Sequence, residues 1–247
     1  MNLCQTIVRK GWWLVLLVLL VAAVVLGRHV PDLEVRAGTS VLLDERDPDL
    51  AFYTQTRPLW GYDEYAIVCV TRDEWFTEEG LELLQRCVAD LEQIEQVERV
   101  TSILDVPLLR QKPGPAIDPL RVPTLASPDL DRARARDEMV GHTLASGNLI
   151  SEDGRSVALL AFVDMPSDIR ELAPQWARLK AESDRDADAE RRIKELRPRM
   201  KAARDELTAR RLGMVTAIRE RVEQWALEPS EPVRLSGTTI LNANIME

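Results

Sequence analysis

Two clusters of carboxylates are the first candidates for chemistry in this chain of 247 residues. One contains Asp44, Glu45, Asp47 and Asp49, and the other contains Asp184, Asp186, Asp188 and Glu190. Alternating acids are typical of calcium loops, but the second cluster lacks the glycine at the sixth position and the distal glutamate of such a loop. A solvated charged surface accounts better for these residues, and we expect no metal there.

The chain offers little for acid–base or nucleophilic catalysis. Asp63 and Glu64 precede a predicted strand and have the residue types of a general acid/base pair, but no histidine or nucleophile accompanies them. The sequence has no G-x-S-x-G, P-loop or G-x-G-x-x-G motif. His29 and His142 have no metal-ligand spacing to any cysteine. We therefore predict no catalytic, metal or cofactor site, and a protein that is not an enzyme.

The three cysteines are Cys4, Cys69 and Cys87. Cys69 lies in an apolar, strand-like run and Cys87 on the apolar side of a predicted helix, so both have the pattern of small buried hydrophobic residues. A Cys69–Cys87 disulfide is compatible with an oxidising compartment, but the sequence does not say whether the two sulfurs are close enough. That pairing stays open at this point.

The elements that would position these side chains begin with a β-α-β unit. A strand is predicted over Ala66–Val70, and Thr77 has the residue type and position to cap the following helix, whose early acids Glu78 and Glu79 favour the positive end of its dipole. Apolar residues at three- and four-residue spacing bury one face of that helix: Leu81, Leu84, Val88, Leu91 and Ile94. The β-rich run Val97–Ile103 closes the unit.

A second unit follows an irregular connector. Residues 111–128 contain five prolines and cannot form regular structure. We predict a short helix over residues 129–144 and a strand over Val157–Val163, whose continuous apolar run indicates burial. The run Val233–Ser236 is predicted to be the last strand.

The stretch between these two strands is helical in pattern over residues 168–227. We expect a helical hairpin insertion over residues 168–204, with its turn within residues 182–190 and with Pro198 kinking the second arm or marking its start. The second arm has a coiled-coil-like seam of Ile193, Leu196, Met200, Ala203 and Leu207. The fold class is therefore α+β, and two such units commonly merge into one ferredoxin-like sheet with its helices on one face.

Charge and length limit the classes of partner. The 41 acidic residues outnumber the 32 basic ones, which gives a net charge of −9. This balance argues against nucleic acid and against binding anionic lipid headgroups by charge alone, since both reward basic surfaces. We expect an extended connector over residues 28–58 and one folded domain over residues 59–247.

The uncharged run Gly11–Gly27 determines where that domain resides. As a helix its seventeen residues span about 26 Å, near the lower limit for crossing a bilayer. Arg9 and Lys10 precede it, so we expect residues 1–10 in the cytoplasm and the chain after residue 28 outside it. The predicted membrane anchor includes Trp12, Trp13, Leu14, Leu17, Leu20 and Val24. We expect the bacterial inner membrane, with a periplasmic domain.

A cleaved signal peptide is the alternative interpretation of this run. The apolar segment is longer than the 7–15 residues typical of a signal peptide. The sequence after it, Leu26–Val30, has no A-x-A-like cleavage site, and Val21-Ala22-Ala23 lies inside the apolar run. These features favour a retained helix.

Several short patterns, in order along the chain, resemble the N-terminal part of a resistance–nodulation–division (RND) superfamily exporter, especially the MMPL type. They are Asp47-Pro48-Asp49, Trp60 to Glu64 before the first strand, Phe76-Thr77-x-Glu79, Val97-x-x-Val100-Thr101-Ser102, Leu149-Ile150-Ser151-x-Asp153-Gly154 and Ser236-Gly237-Thr238. Thr239 stands where such proteins often have proline. Their common order across the chain carries the resemblance.

The resemblance implies a first transmembrane helix followed by a periplasmic porter-type domain of a proton-driven exporter of lipids or other hydrophobic molecules. Its partners would be the lipid bilayer, the remaining transmembrane part or copies of itself, and a hydrophobic substrate. The family's second membrane helix is expected shortly after Glu247, so this portion is not expected to transport alone. A complete single-pass periplasmic interaction module is the alternative.

Overall fold

The computed structural model describes residues 12–28, 49, 52–53, 56, 64–110, 122–127, 130–182, 186–225, 227 and 231–246. Arg9, Lys10 and most of the predicted connectors lie outside these ranges. The chain divides into two compact units, Met1–Val41 and Leu42–Glu247.

In the first unit, helix α1 spans Trp12–Gly27, close to the helix expected over residues 11–27. Its 16 residues carry no charged side chain. Among the described helices, none combines the length and the apolar character that a membrane span requires. The membrane crossing therefore stays a prediction.

The second unit is built on a four-stranded sheet. Its strands are β1 (Tyr65–Thr71), β2 (Val97–Thr101), β3 (Ser156–Val163) and β4 (Val233–Ser236). The strand order is β2-β3-β1-β4 and every neighbouring pair is antiparallel. The connection from β1 to β2 therefore crosses β3, and the connection from β3 to β4 crosses β1. The predicted α+β class is confirmed.

Five helices with defined bounds lie within the described ranges of this unit. They are α2 (Glu78–Glu92), α3 (Arg132–Val140), α4 (Ser167–Glu182), α5 (Ala187–Gln224) and α6 (Thr238–Met246). Helix α6 was not predicted from the sequence. It follows β4 after Gly237, whose φ of 100° lies in the left-handed region that glycine tolerates.

Helix α2 begins as its sequence predicts. Thr77 has an extended backbone, and its hydroxyl accepts a hydrogen bond from the Gly80 amide at 3.0 Å. Leu81, Leu84 and Leu91 are buried on one face, and that face packs into the core of the sheet. The cap therefore satisfies one free amide of the first turn, and burial of the apolar stripe stabilises the helix.

Strand β2 is shorter than predicted. It ends at Thr101, whereas the predicted run extends to Ile103. The Ser102 side chain accepts from the Leu104 amide, and the Ser102 amide donates to the Asp105 carboxylate at 2.8 Å. This reciprocal capping starts a single 3₁₀ turn over Ile103–Asp105. Local side-chain hydrogen bonds therefore replace the last ladder positions.

Helix α4 ends at Glu182 and α5 starts at Ala187, in agreement with the turn predicted within residues 182–190, but the hairpin extends beyond the insertion predicted over residues 168–204. Helix α5 starts at Ala187 and continues past residue 204 to Gln224, so Pro198 lies inside it and does not mark its start. Pro174 lies inside α4 as well. The predicted seam is confirmed, because Ile193, Met200, Ala203 and Leu207 are buried and Leu196 packs against the core. Apolar packing between α4 and α5 thus stabilises α5 as one helix although it contains Pro198.

One face of the sheet supports the core. On β1 the buried residues are Ala66, Val68 and Val70, and on β3 they include Val157, Leu159 and Ala161. They join one apolar cluster with residues of α2 and α5, including Leu84, Leu91, Met214, Val215 and Ile218. Because side chains alternate along a strand, the residues between them lie on the other face.

Candidate interaction surface

Rows of paired residues line the second face of the sheet, and three of these rows, next to the Thr71–Ser156 pair, form a surface that we call the open face. The three rows are Arg99–Phe162–Tyr65, then Thr101–Leu160–Ile67–Ser236, then Ala158–Cys69–Arg234. Directly opposed residues of antiparallel strands share one face. All of these residues except Ala158 are half-buried or exposed. The open face thus has an apolar centre on β1 and β3 and arginines on the edge strands β2 and β4.

Aromatic stacking orders one end of the open face. The Arg99 guanidinium lies over the Phe162 ring at 3.6 Å from its centroid and donates to the Thr101 hydroxyl at 2.7 Å. The Tyr65 and Phe162 rings are 5.3 Å apart and tilted by 53°. Such stacking favours one orientation of the guanidinium and leaves donors for a further acceptor.

Arg234 and Cys69 occupy the opposite end of the open face. Burial raises the pKa of the Cys69 thiol, and the nearby Arg234 charge partly offsets this by lowering it. Cys69 and Cys87 are both free thiols. The disulfide left open by the sequence is therefore not formed.

A partly buried ion pair joins the base of the sheet to α5. Arg211 Nε donates to Glu64 Oε2 at 2.8 Å, and a second guanidinium nitrogen donates to the same oxygen. The two side chains are only 21% and 19% exposed. Glu64 is thus held by an arginine, and no described histidine or nucleophile is bonded to it. Its geometry is that of an anchor between a strand and a helix rather than of an acid/base pair.

A second network surrounds Asp164, the residue that follows β3. Its carboxylate pairs with Arg210 of α5 and lies 3.7 Å from Arg170 of α4. Arg210 also binds Glu206 at 2.9 Å, and Arg170 binds Glu98 at 3.0 Å. These contacts connect both arms of the hairpin to the base of the sheet.

Glu138 of α3 is a buried carboxylate, 5% exposed. Its Oε1 accepts a hydrogen bond from the Arg110 amide at 2.8 Å, whereas Oε2 is buried with no partner among the described groups. The contact fixes the chain at Arg110 against α3. A single carboxylate supplies too few ligands for a metal ion.

Only some of the acids singled out in the sequence are described, and Asp44, Glu45 and Asp47 lie outside the described ranges. Asp186 caps α5 through its hydrogen bond to the Asp188 amide at 2.9 Å, and Asp188 pairs with Arg191. Asp63 and Asp184 lie outside the described ranges. Among the residues that the structure describes, no group of three or more His, Cys, Asp or Glu side chains is arranged to hold a metal ion.

The residues predicted to anchor the chain lie along α1. Trp12, Trp13, Leu17, Leu20 and Val24 are all exposed. Together they give α1 an apolar surface without charge. Leu14 lies within α1, and Arg9 and Lys10 lie outside the described ranges.

Sequence reasoning missed the open face. The signal was present in the alternation of β1, in which Tyr65, Ile67 and Cys69 fall between the buried positions. It was obscured because the alternate residues include apolar ones, so the run shows no clear alternation of apolar and polar residues. A scan of protein-family models, a search of curated proteins and a search of solved structures each found no match. What the chain does is therefore inferred from its residues and their geometry.

Proposed function

We propose that this chain is the N-terminal portion of a proton-driven, RND/MMPL-like exporter of lipids or other hydrophobic molecules. In this role α1 is the first membrane helix, and the sheet unit is a porter-type domain outside the cytoplasm with ferredoxin-like topology. This portion does not transport alone, since proton coupling needs ionisable groups within the membrane and α1 has none.

One observation supports the proposal most strongly. An uncharged apolar helix precedes a sheet of order β2-β3-β1-β4, in which each β-α-β crossover steps over one antiparallel strand. The same strand order occurs in ferredoxin-like domains, which supports this part of the proposal. The ordered short patterns of the sequence add the resemblance to this exporter class.

Membrane retention of α1 is tested by alkaline carbonate extraction of the full chain expressed in a bacterium. We expect the chain in the membrane pellet at its full mass. Leu17→Arg combined with Leu20→Arg should move it to the soluble fraction, because each charge at the centre of a span costs about 2.5–3.5 kcal/mol. Leu17→Ala with Leu20→Ala is the control and should stay in the pellet. A full-length, soluble unsubstituted chain would contradict a retained helix, and a shortened one would indicate signal cleavage.

The exporter itself is tested in the coding DNA. We expect an in-frame or immediately downstream stretch that encodes several apolar runs of about twenty residues, the length of further membrane helices. A stop codon followed by unrelated sequence would instead favour the single-pass interaction module. Fusions of alkaline phosphatase after Gln224 should be active, because the enzyme needs the oxidising periplasm.

A further inference from the structure

The open face has an unusual charge for this chain. Its three rows contain two arginines, Arg99 and Arg234, and no acidic side chain. The whole chain, by contrast, has a net charge of −9. A cationic apolar surface on an acidic protein is complementary to an anionic, partly apolar partner.

Both guanidinium groups have N–H donors that no ion pair among the described residues uses. Arg99 stacks on Phe162 and bonds to the neutral Thr101 hydroxyl, and Arg234 lies near the Cys69 thiol. Neither arginine forms an ion pair within the part of the chain that the structure describes. By comparison, Arg210 and Arg211 are both neutralised by carboxylates. The two cations of the open face thus have capacity for an external carboxylate.

The spacing of the two arginines selects the kind of partner. They lie on opposite edge strands, separated by three strand spacings or about 14 Å, and are offset along the strands by four residues or about 13 Å. The diagonal is therefore about 20 Å. A single lipid headgroup reaches only one of them, whereas about thirteen residues of α-helix span this distance at 1.5 Å per residue.

We infer that the open face binds an amphipathic, acidic helix of a partner protein, which lies diagonally across β2, β3, β1 and β4. Its carboxylates pair with Arg99 and Arg234, and its apolar stripe covers Ile67, Leu160 and Phe162. The helix would complete a second layer on the sheet, since each face of a sheet is stabilised by burial against another element. This inference does not depend on the transport role of the chain.

The test uses the full chain in nanodiscs of neutral lipid and a synthetic helical peptide of about sixteen residues, long enough to span the diagonal. The peptide carries leucines along one face and glutamates near both ends, and a control peptide has lysines in place of the glutamates. The readout is protection of Cys69 from N-ethylmaleimide, measured by mass spectrometry, with labelling of Cys4 as the internal reference. We expect the glutamate peptide to protect Cys69, and the lysine peptide to leave it reactive.

Charge reversal tests the role of the arginines. Arg99→Glu combined with Arg234→Glu should weaken protection by the glutamate peptide about tenfold or more and should create protection by the lysine peptide. Arg197→Glu, at an exposed position of α5, is the matched control and should change neither. If the double reversal does not fold, Arg99→Gln with Arg234→Gln should lose protection in the same way.

Three outcomes would overturn the inference. Equal protection by both peptides would show that the contact is not electrostatic, and unchanged protection in the double variants would exclude the two arginines. Arginine-dependent protection by soluble dihexanoyl phosphatidylglycerol, without protection by the glutamate peptide, would assign the surface to a lipid instead. None of these results bears on the membrane extraction of α1, so the two proposals fail separately.

Discussion

Arg211 of α5 places two guanidinium nitrogens on a single carboxylate oxygen of Glu64, a residue 147 positions earlier in the chain. The pair joins the entry to β1 with the middle of the longest helix. Both side chains are about four-fifths buried. A bond of this kind restricts how the hairpin meets the sheet more than an exposed ion pair does.

Glu64→Gln should therefore lower the free energy of unfolding by about 1–2 kcal/mol, because a charge-assisted hydrogen bond becomes a weaker neutral one. Arg211→Met should have a similar effect, and the double variant should lose less than the sum of the two. Denaturant unfolding in a neutral detergent, followed by tryptophan fluorescence, measures all three. Glu195→Gln, exposed on α5, is the control; strict additivity would show that the pair contributes nothing.

Gly237 should not tolerate a side chain. A Cβ there would lie 2.9 Å from the Tyr65 carbonyl oxygen, and its φ is already 100°. Gly237→Ala should cost about 3 kcal/mol or more, since backbone strain and a clash with a fixed carbonyl add together. Gly147 has a φ of 77° with no atom within 4 Å of its Cβ position, so Gly147→Ala should cost only about 1 kcal/mol. Equal losses in thermal or denaturant unfolding would contradict this geometry.

Leu84 should be a main contributor to the packing of α2 on the sheet. It is fully buried, so Leu84→Ala should destabilise the domain by about 2–5 kcal/mol through lost burial and a residual cavity. Gln85, the next residue, is exposed, and Gln85→Ala should change the unfolding free energy by less than about 0.5 kcal/mol. Circular dichroism during denaturation checks both. Similar changes in unfolding free energy for the two variants would show that Leu84 does not pack in the core.

The buried thiol of Cys87 should lower the free energy of unfolding of the domain at alkaline pH. Burial, helped by the charge of Asp90 and opposed by Arg86, raises the pKa of its thiol from 9.0 to about 12. The unfolded chain therefore releases this proton above about pH 9 while the folded chain keeps it. Because the unfolded state then binds fewer protons, stability falls as the pH rises from about 9 to about 12.

The contribution of Cys87 is the difference between the unsubstituted chain and Cys87→Ala. Tyrosines and lysines titrate in the same range in both proteins, so their effects cancel. The unfolding free energy of the unsubstituted chain should decline more steeply above pH 9 than that of the variant. Parallel declines would mean that the folded Cys87 ionises as an exposed thiol does.

Local features of the fold were predictable from the sequence. Thr77 and the early glutamates fix the start of α2 within one turn, and the apolar runs at β1 and β3 mark the strands, because both signals are contained in adjacent residues. The Ser102–Asp105 capping box was equally local and was visible as a serine with an acid three positions later. It went unused because Ile103 extends the β-rich run.

Contacts between segments that lie far apart in the chain could not be predicted from the sequence. Nothing near Glu64 indicates that Arg211 will reach it, and nothing in β2 or β4 alone shows that Arg99 and Arg234 share a face. Those facts depend on the strand order and on the registers Arg99↔Phe162 and Cys69↔Arg234. A shift by one residue would turn either arginine to the opposite side.

The uninterrupted course of α5 has a mechanical consequence. One helix of 38 residues runs from the turn of the hairpin to the buried positions Met214 and Ile218 beneath the sheet. About 23 residues separate its start from the Arg210–Arg211 contacts, a lever arm of about 35 Å at 1.5 Å per residue. If α5 tilts by 10° about these contacts, its first residue moves by about 6 Å. A small force on the tip of the hairpin therefore produces a large moment at the base of the sheet.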